Sequence, residues 1–275
     1  MSYRKQPWSW LFAVLVVLSG TAHADLVLST QPRGAAEKFA PPFDQVARYL
    51  SKKIGVKVVY HYSGDWISYS QNLRQDKFDI VFDEPHFVAW RIANRKHTLV
   101  AAAVPEASEK HVVIVKRDNA SFWHVGQLAG HTVCGMAPPN FATLSLMAQY
   151  SNPVRIPLIV PVQNYEDAYR GLLAGKCVAA VLSDISFEQL DKNAGKAKAI
   201  YVGYRLMPGD AFTVGSRVSD EMRGKILQAL LVPEAADEIP LFIDRYAYGK
   251  LLDLPVEEQY EGLDALLHNV YGFDR

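Results

Sequence analysis

Short apolar runs alternate with segments of helical periodicity along most of the 275-residue chain, and this alternation restricts its fold more than any other feature. In the first stretch we predict strands at 26–29, 56–62, 78–82, 99–104 and 111–115. The predicted helices are 43–54, which begins after Pro41 and Pro42, 66–75 and 87–94. Strands that alternate with helices favour a mostly parallel sheet that is covered on both faces.

The same order restarts near residue 132. Predicted strands at 132–136, 157–162 and 178–182 alternate with helices at 141–150, 165–174 and 185–190. A strand at 211–214 and helical segments at 222–230, 239–252 and 257–270 follow. At about 100–200 residues per domain, two such units are too small to be separate large domains. The sequence therefore predicts an α/β protein with two lobes.

The first 24 residues have the features of a cleavable secretory signal. Arg4 and Lys5 precede an apolar run at 8–18, and Ala22-His23-Ala24 supplies a small residue at each end of the triplet. An uncleaved membrane anchor is the alternative, although the run has about half the length that spans a bilayer. We expect export to the periplasm of a chain that begins at Asp25 and is not embedded in the membrane.

The charge balance argues against two classes of partner. The chain has 29 Lys plus Arg and 29 Asp plus Glu. Removal of residues 1–24 takes away Arg4 and Lys5 and no acid, which leaves 27 basic and 29 acidic side chains, a net charge of −2. Such a chain has no basic field that would hold nucleic acid or an anionic membrane surface.

The only two cysteines are predicted to lie close together. Cys134 and Cys177 fall at the first and third strands of the second unit, and right-handed crossovers usually make these strands neighbours. An oxidising compartment then permits a disulfide between them. Two alternatives stay open, namely two buried thiols or a thiolate metal site with Met136.

Polar residues follow several of the predicted strands. In open α/β sheets, ligands bind beyond the carboxyl ends of the strands, where the next helices begin. The candidate ligand-binding residues are Arg33, Asp65, Trp66, Asp83, Glu84, His86, Asn140, Thr143 and Asp184. Each candidate also has a structural alternative. Arg33 could be solvated, Asp83 or Glu84 could cap a helix, and His86 could simply stand at a helix start. Trp66 and Tyr69 could pack in the core, Asp184 could orient a neighbour, and Tyr204 and Asp210 could belong to a hinge.

Several motifs occur in a characteristic order and spacing. They are LRQDKFDIVF at 73–82, HVVIVKRD at 111–118, VGQLAGHTVCG at 125–135, AYRGLLAGKCVAAVLSD at 168–184 and MPGDAFTV at 207–214. In these the chain resembles, over roughly 26–232, the substrate-binding proteins of phosphate, phosphite and phosphonate ABC importers, a branch of the type 2 periplasmic binding proteins. The resemblance implies a ligand cleft between two lobes, with lobe 1 at 25–115, lobe 2 at 116–204 and a return to lobe 1 at 205–275.

The resemblance also implies a function. A monomer without cofactor, resident metal or catalytic activity would deliver a small ligand to an inner-membrane ABC permease, and ligand would shift the population toward the closed form. Two other functions stay open, a ligand sensor for a membrane receptor and an enzyme on the same scaffold.

One stretch departs from the family pattern. Relatives that bind phosphonates usually carry Ser and Thr at the start of the first helix of lobe 2, where this chain has residues 137–143. Pro138 and Pro139 have no N–H to donate, which leaves the side chains of Asn140 and Thr143. Carboxylates in the first lobe attract a positive group. We therefore expect a ligand with both charges, such as an aminoalkyl phosphonate or an amino-acid-like molecule.

Overall fold

The computed structural model describes residues 24–33, 36–105 and 109–273, so residues 1–23 of the predicted signal lie outside the described residues. The strands are β1 Leu26–Thr30, β2 Val58–Tyr62, β3 Ile80–Asp83, β4 Thr98–Ala102, β5 His111–Lys116, β6 Thr132–Met136, β7 Leu158–Val162, β8 Ala179–Ser183, β9 Ala197–Val202 and β10 Ala211–Val214. The helices are α1 Ala36–Ile54, α2 Trp66–Arg74, α3 Pro85–Arg95, α4 Phe141–Met147, α5 Tyr165–Leu173, α6 Asp184–Asp191, α7 Asp220–Leu231, α8 Glu234–Glu238 and α9 Pro240–Tyr246. Within these ranges no helix is long and apolar enough to cross a membrane.

The first sheet has the strand order β2-β1-β3-β10-β4. Strands β1, β2 and β3 are parallel, whereas β10 runs antiparallel to both β3 and β4. All four residues of β3 are buried, as expected for a central strand with helices on both faces. The carboxyl ends of the three parallel strands therefore meet at one edge of this sheet.

The second sheet has the strand order β7-β6-β8-β5-β9. Strands β6, β7 and β8 are parallel, and β5 runs antiparallel to β8 and β9. Residues 111–115 were expected in lobe 1, but β5 pairs in the second sheet because the chain crosses between the lobes before this strand. Strand β9 was not predicted, since it is an edge strand with only one buried residue.

Two segments connect the sheets, one between β4 and β5 and the other between β9 and β10. They form an antiparallel bridge in which the Met207 N–H donates to the Glu109 carbonyl at 2.8 Å. The Ala103 N–H donates to the Asp210 carbonyl at 2.9 Å. A Cβ at Gly209 would lie 1.8 Å from the Ala103 oxygen, so only glycine permits this approach. The paired segments therefore form the connection about which the lobes can move.

Helix α1 begins at Ala36, earlier than predicted. Pro41 and Pro42 therefore lie inside the helix, where neither can donate to the carbonyl one turn back. The carbonyl of Lys38, which an N–H at position 42 would reach, accepts instead from the Arg245 guanidinium at 2.9 Å. The predicted start was wrong because this compensating partner comes from a distant part of the chain.

The last third of the chain contains less helix than predicted. Helix α9 ends at Tyr246, and the predicted helix at 257–270 consists of two 3-10 turns, Glu257–Gln259 and Leu263–Leu267. Gly262 between the turns has a φ of 73°, a left-handed conformation outside the α-helix. The apolar spacing of this segment places Leu263 and Leu267 in the core without a continuous helix.

Helix α4 of the second lobe packs against the first. Leu144 shares a buried cluster with Phe87 of α3 and with Leu267 near the end of the chain. The ring centroid of Phe141 lies 5.5 Å from that of His86. The two lobes therefore contact each other through buried side chains, as in the closed form of a hinged protein.

Candidate functional site

Arg33 lies beyond the end of β1 and faces the segment that enters β10. Its Nη2 donates to an Asp210 carboxylate oxygen at 2.9 Å, and its Nε lies 3.4 Å from Thr30 Oγ1. Its Cζ lies 4.9 Å from the ring centroid of Tyr246, within the range of a cation–π contact. Because a guanidinium has five N–H donors, Arg33 can hold a ligand oxygen as well as Asp210.

Glu84 immediately precedes α3 but makes no side-chain capping bond to it. Gln31 fixes its position through two hydrogen bonds. The Gln31 Nε2 donates to Glu84 Oε1 at 2.6 Å, and the Glu84 N–H donates to Gln31 Oε1 at 3.2 Å. Burial and the nearby Asp210 carboxylate raise the pKa of Glu84 to about 7, although Arg33 opposes them. The Glu84 carboxyl therefore changes charge near neutral pH.

Asp83 is fully buried and binds other parts of the protein. Its Oδ2 accepts from the Arg91 guanidinium and the Tyr69 hydroxyl, and its Oδ1 accepts from the Gln31 N–H at 2.7 Å. Arg91, also fully buried, donates from Nε to Thr213 Oγ1 at 2.8 Å. Asp83 was predicted to contact ligand, but its oxygens are already taken up by these donors. We therefore assign it to the support of Gln31, which in turn holds the neighbouring glutamate.

Asn140 and Thr143 fix the start of α4. The Asn140 Oδ1 accepts from the Thr143 N–H at 3.2 Å. The hydroxyl of Thr143 is buried and donates to the Met136 carbonyl at 2.7 Å. A Cβ at Gly135 would lie 3.0 Å from Thr143 Oγ1, so the glycine makes room for this contact. The predicted ligand donor at Thr143 is thus already used to hold α4 against β6.

Tyr165, the first residue of α5, lies where the two lobes meet. Burial raises the pKa of Tyr165, as do the negative charges of Glu84 and Glu109, whereas a hydrogen bond with the Asn140 side chain lowers it. Glu84 belongs to the first sheet and Asn140 to the second. The Tyr165 hydroxyl therefore binds Asn140 of its own lobe and lies within electrostatic range of Glu84 of the other lobe.

Three carboxylates and one guanidinium surround the same region. Burial and the nearby carboxylates of Asp210, Glu109 and Glu84 together raise the pKa of Tyr248 to about 12, while Arg33 opposes them. Arg33 balances one of these negative charges. Above about pH 7, where Glu84 is ionised, the remaining negative charge favours a ligand that brings a positive group.

His86 contacts the second lobe directly. Its side chain is fully buried, and burial lowers the pKa of His86 to about 3, so the ring is neutral at pH 7. Its Nε2 donates to the Pro139 carbonyl at 2.9 Å, next to the cis Pro138–Pro139 peptide bond. The other ring nitrogen, Nδ1, lies 3.9 Å from Glu84 Oε2 and has no hydrogen-bond partner among the described residues. Nδ1 is therefore available to accept a hydrogen bond beside Glu84.

A model of one protein family matches residues 28–247 of the chain, and its description is "ABC transporter, phosphonate, periplasmic substrate-binding protein". This match covers most of the sequence. The chain belongs to this family. The family predicted from the motifs is thereby confirmed, together with a solute-binding role for an ABC importer.

Solved structures of low sequence identity share the fold. XAC2383 of Xanthomonas citri, bound to ATP, has a TM-score of 0.68 at 13% identity, over 90% of this chain and 98% of that one. PhnD1 of Prochlorococcus marinus, in complex with methylphosphonate, has a TM-score of 0.62 at 13% identity, with the same coverage. The binding-protein component of a phosphonate ABC transporter from Pseudomonas aeruginosa has a TM-score of 0.53 at 15% identity, over 90% and 96%. These similarities confirm the two-lobed α/β fold. No curated protein matches the sequence.

Three predicted site residues of this binding protein bind or pack against other parts of the chain. Asp65 is exposed and caps α2 with its side chain. Trp66 stacks on Phe87 at a centroid distance of 5.5 Å. The Asp184 Oδ1 accepts from the Lys110 N–H at 2.9 Å, which fixes the chain next to Glu109. We leave Asp65 and Trp66 out of the proposed site and assign Asp184 to the orientation of its neighbour.

Cys134 and Cys177 form a disulfide, with their Cα atoms 5.6 Å apart. Cys134 lies in β6, and Cys177 lies just before β8, which is the neighbour of β6 in the sheet. Both side chains are buried in the same core cluster of the second lobe. The bridge excludes the alternatives of two free thiols and a thiolate metal site.

Tyr165, Glu109 and Tyr248 were not predicted as site residues, and Asp210 was considered for a hinge role. Tyr165 follows β7, so the strand-end rule that selected Asn140 would also have found it. Glu109 and Asp210 lie in the crossing segments, and Tyr248 lies beyond α9, where no strand-end rule applies. The two crossings between the sheets and the return of the chain after α9 place these three positions near one another.

Proposed function

We propose that this binding protein holds a small solute that carries both an oxyanion and a positive group, of the aminoalkyl phosphonate type, and delivers it to an inner-membrane ABC permease. The observation that supports this most directly is the pair of carboxylates Glu84 and Asp210 beside Arg33, together with a third carboxylate, Glu109, near Asp210. A positive group on the ligand relieves the repulsion among these carboxylates, whereas a bare anion adds to it.

The oxyanion of such a ligand needs donors from both lobes. Arg33 supplies a guanidinium from the first lobe. The Asn140 Oδ1 already accepts from the Thr143 N–H, so the Asn140 amide group donates to the Tyr165 oxygen, which leaves the hydroxyl proton for a ligand. The prolines before Asn140 offer no N–H. We therefore place the oxyanion between Arg33 and Tyr165, and the positive group beside Glu84 and His86 Nδ1.

Closure follows from this arrangement. Arg33 and Glu84 belong to the first lobe and Tyr165 to the second, so a ligand reaches all three only when the lobes are together. The His86–Pro139 hydrogen bond also joins the two lobes in this arrangement. Ligand binding therefore shifts the population toward the closed form.

Calorimetry with a matched pair of ligands tests this proposal. At about pH 8, 2-aminoethylphosphonate should bind the mature protein roughly ten- to hundredfold more tightly than ethylphosphonate, because a charged hydrogen bond contributes about 1.5–3 kcal/mol. Phosphate and ethylamine serve as single-charge controls. The proposal fails if ethylphosphonate or phosphate binds as tightly as the amine. We propose binding without turnover, so the phosphorus NMR spectrum of the mixture should stay unchanged.

The preference for the amine should depend on pH. With a pKa of about 7, Glu84 is protonated in acid, and a bound ammonium group favours its ionised form. The affinity ratio of 2-aminoethylphosphonate to ethylphosphonate should therefore fall as the pH drops below about 7, by up to tenfold per unit, and level off above about pH 8. The ammonium group also lowers the second pKa of its own phosphonate, so the same ratio measured with Glu84→Gln, which lacks the carboxyl, gives the ligand contribution to be subtracted. A parent ratio that changes between about pH 6 and 8 only as much as the ratio of Glu84→Gln would contradict this.

We also propose that residues 1–24 are removed on export and that the protein acts in the periplasm as a monomer without a cofactor. The family is one of periplasmic proteins, and a basic start, an apolar run and an Ala22-His23-Ala24 end precede Asp25.

A further inference from the structure

A cavity of about 120 Å³ lies beside α4. It is bounded by β5, by α4, by the start of the segment that crosses back from the second sheet, and by the 3-10 turn Leu263–Leu267. None of Arg33, Glu84 and Asp210 lines it. Phe141 of α4 lines this cavity and also contacts His86. The cavity is therefore separate from the proposed solute site but adjoins the same helix.

His111, the first residue of β5, lines the cavity and is only 6% exposed. Neither of its ring nitrogens has a hydrogen-bond partner in the part of the chain that the structure describes. Packing fixes the ring, since a Cβ at Gly203 would lie 2.5 Å from His111 Cε1 and the ring of Tyr201 is 5.5 Å away. Buried polar groups in folded proteins are almost always paired, so a partner for His111 is expected in the adjacent cavity.

Each of the other polar side chains that line the cavity can donate a hydrogen bond, namely those of Ser145, Gln149, Tyr201, Tyr204 and Arg205. Arg205 is held at its rim because its Nη2 donates to the Glu261 carbonyl, and the remaining guanidinium N–H groups are additional donors. Ser145 contributes a hydroxyl. Burial lowers the pKa of His111 to about 4 although Asp184 raises it, so the neutral ring offers one N–H at pH 7. None of the described lining residues is Asp or Glu.

We propose that this cavity binds a small inorganic oxyanion, of the size of sulfate or phosphate, through Arg205, His111 and Ser145. A positive planar group together with neutral N–H and O–H donors is the donor set that suits such an anion. The cavity exceeds the roughly 30 Å³ that one water occupies in the liquid, so it has room for more than a single water. The anion would link the second sheet to the turn Leu263–Leu267. This site does not rest on the function proposed for the cleft.

Sulfate is the probe for this site. Sodium sulfate is titrated into the ¹⁵N-labelled mature protein at constant ionic strength, balanced with sodium chloride, and the histidine ring signals are followed by NMR. The His111 signals should shift saturably. Arg205→Gln should weaken sulfate binding at least tenfold, about 1.4 kcal/mol. Arg155→Gln removes the same charge from an exposed 3-10 turn and should leave sulfate affinity unchanged.

Two further variants serve as a control for the cleft and as a second test of the cavity. Glu84→Gln alters the cleft and should leave the sulfate-induced shift of His111 unchanged, which separates this site from the solute site. Ser145→Ala should weaken sulfate binding several-fold, and it takes the place of Arg205→Gln in this test if that variant folds poorly. The proposal is overturned if sulfate produces no saturable shift of the His111 signals, or if both Arg205→Gln and Ser145→Ala bind it like the parent, in which case water alone fills the cavity.

Discussion

Replacement of Asp83 with alanine is expected to lower the free energy of unfolding by about 3–5 kcal/mol. The substitution leaves the guanidinium of Arg91 fully buried without its carboxylate, and it removes the acceptor of the Tyr69 hydroxyl and the Gln31 N–H. The cost arises mainly from the uncompensated buried charge. Urea unfolding of the mature protein, followed by tryptophan fluorescence, measures it.

Two comparisons test this explanation. Addition of Arg91→Met to Asp83→Ala should restore part of the lost stability, because the unpaired charge is then removed. Glu238→Ala, which deletes an exposed ion pair with Lys52, should change the midpoint little. If Asp83→Ala costs less than about 1 kcal/mol, the carboxylate is not the partner that holds Arg91.

Loss of the disulfide should have the second largest effect. The double variant Cys134→Ala and Cys177→Ala should lose about 2–4 kcal/mol of unfolding free energy. The cysteines are 43 residues apart in sequence, and closing a loop of that length corresponds to about 4 kcal/mol of chain entropy in the unfolded state. Denaturant unfolding of the two proteins gives the difference.

The parent protein unfolded in the presence of a reductant is the control. It keeps both sulfur atoms in the core cluster and loses only the cross-link, so its difference from the double variant gives the packing contribution. A reduced parent with the stability of the oxidised one would contradict a stabilising bridge.

Much of the fold follows from local sequence patterns. The strands at 132–136 and 211–214 were predicted with the bounds that the structure has, because each is a short apolar run between turn residues. The start of α1 and the sheet to which β5 belongs were not predicted correctly, because they depend on Arg245 and on β8 and β9. Local patterns carry no information about such distant partners.

The candidate site could likewise be predicted only in part from the sequence. Asp83 and Glu84 are adjacent carboxylates at one strand end, and the sequence gives no reason to treat them differently. Arg91 of α3 binds Asp83, which leaves Glu84 as the carboxyl beside the cleft. Thr143 likewise has the right residue type in the right place, but the Met136 carbonyl takes its hydroxyl. Which polar groups remain for a ligand is decided by tertiary contacts.

The most direct test of the proposed function is a set of four calorimetric affinities at about pH 8. The parent and Glu84→Gln are each titrated with 2-aminoethylphosphonate and with ethylphosphonate. We expect Glu84→Gln to lower the affinity for 2-aminoethylphosphonate at least tenfold, and to leave the affinity for ethylphosphonate unchanged or higher. This corresponds to a coupling energy of about 1.5–3 kcal/mol between Glu84 and the amino group. If Glu84→Gln weakens both ligands equally, Glu84 does not hold a positive group and the proposed ligand is wrong.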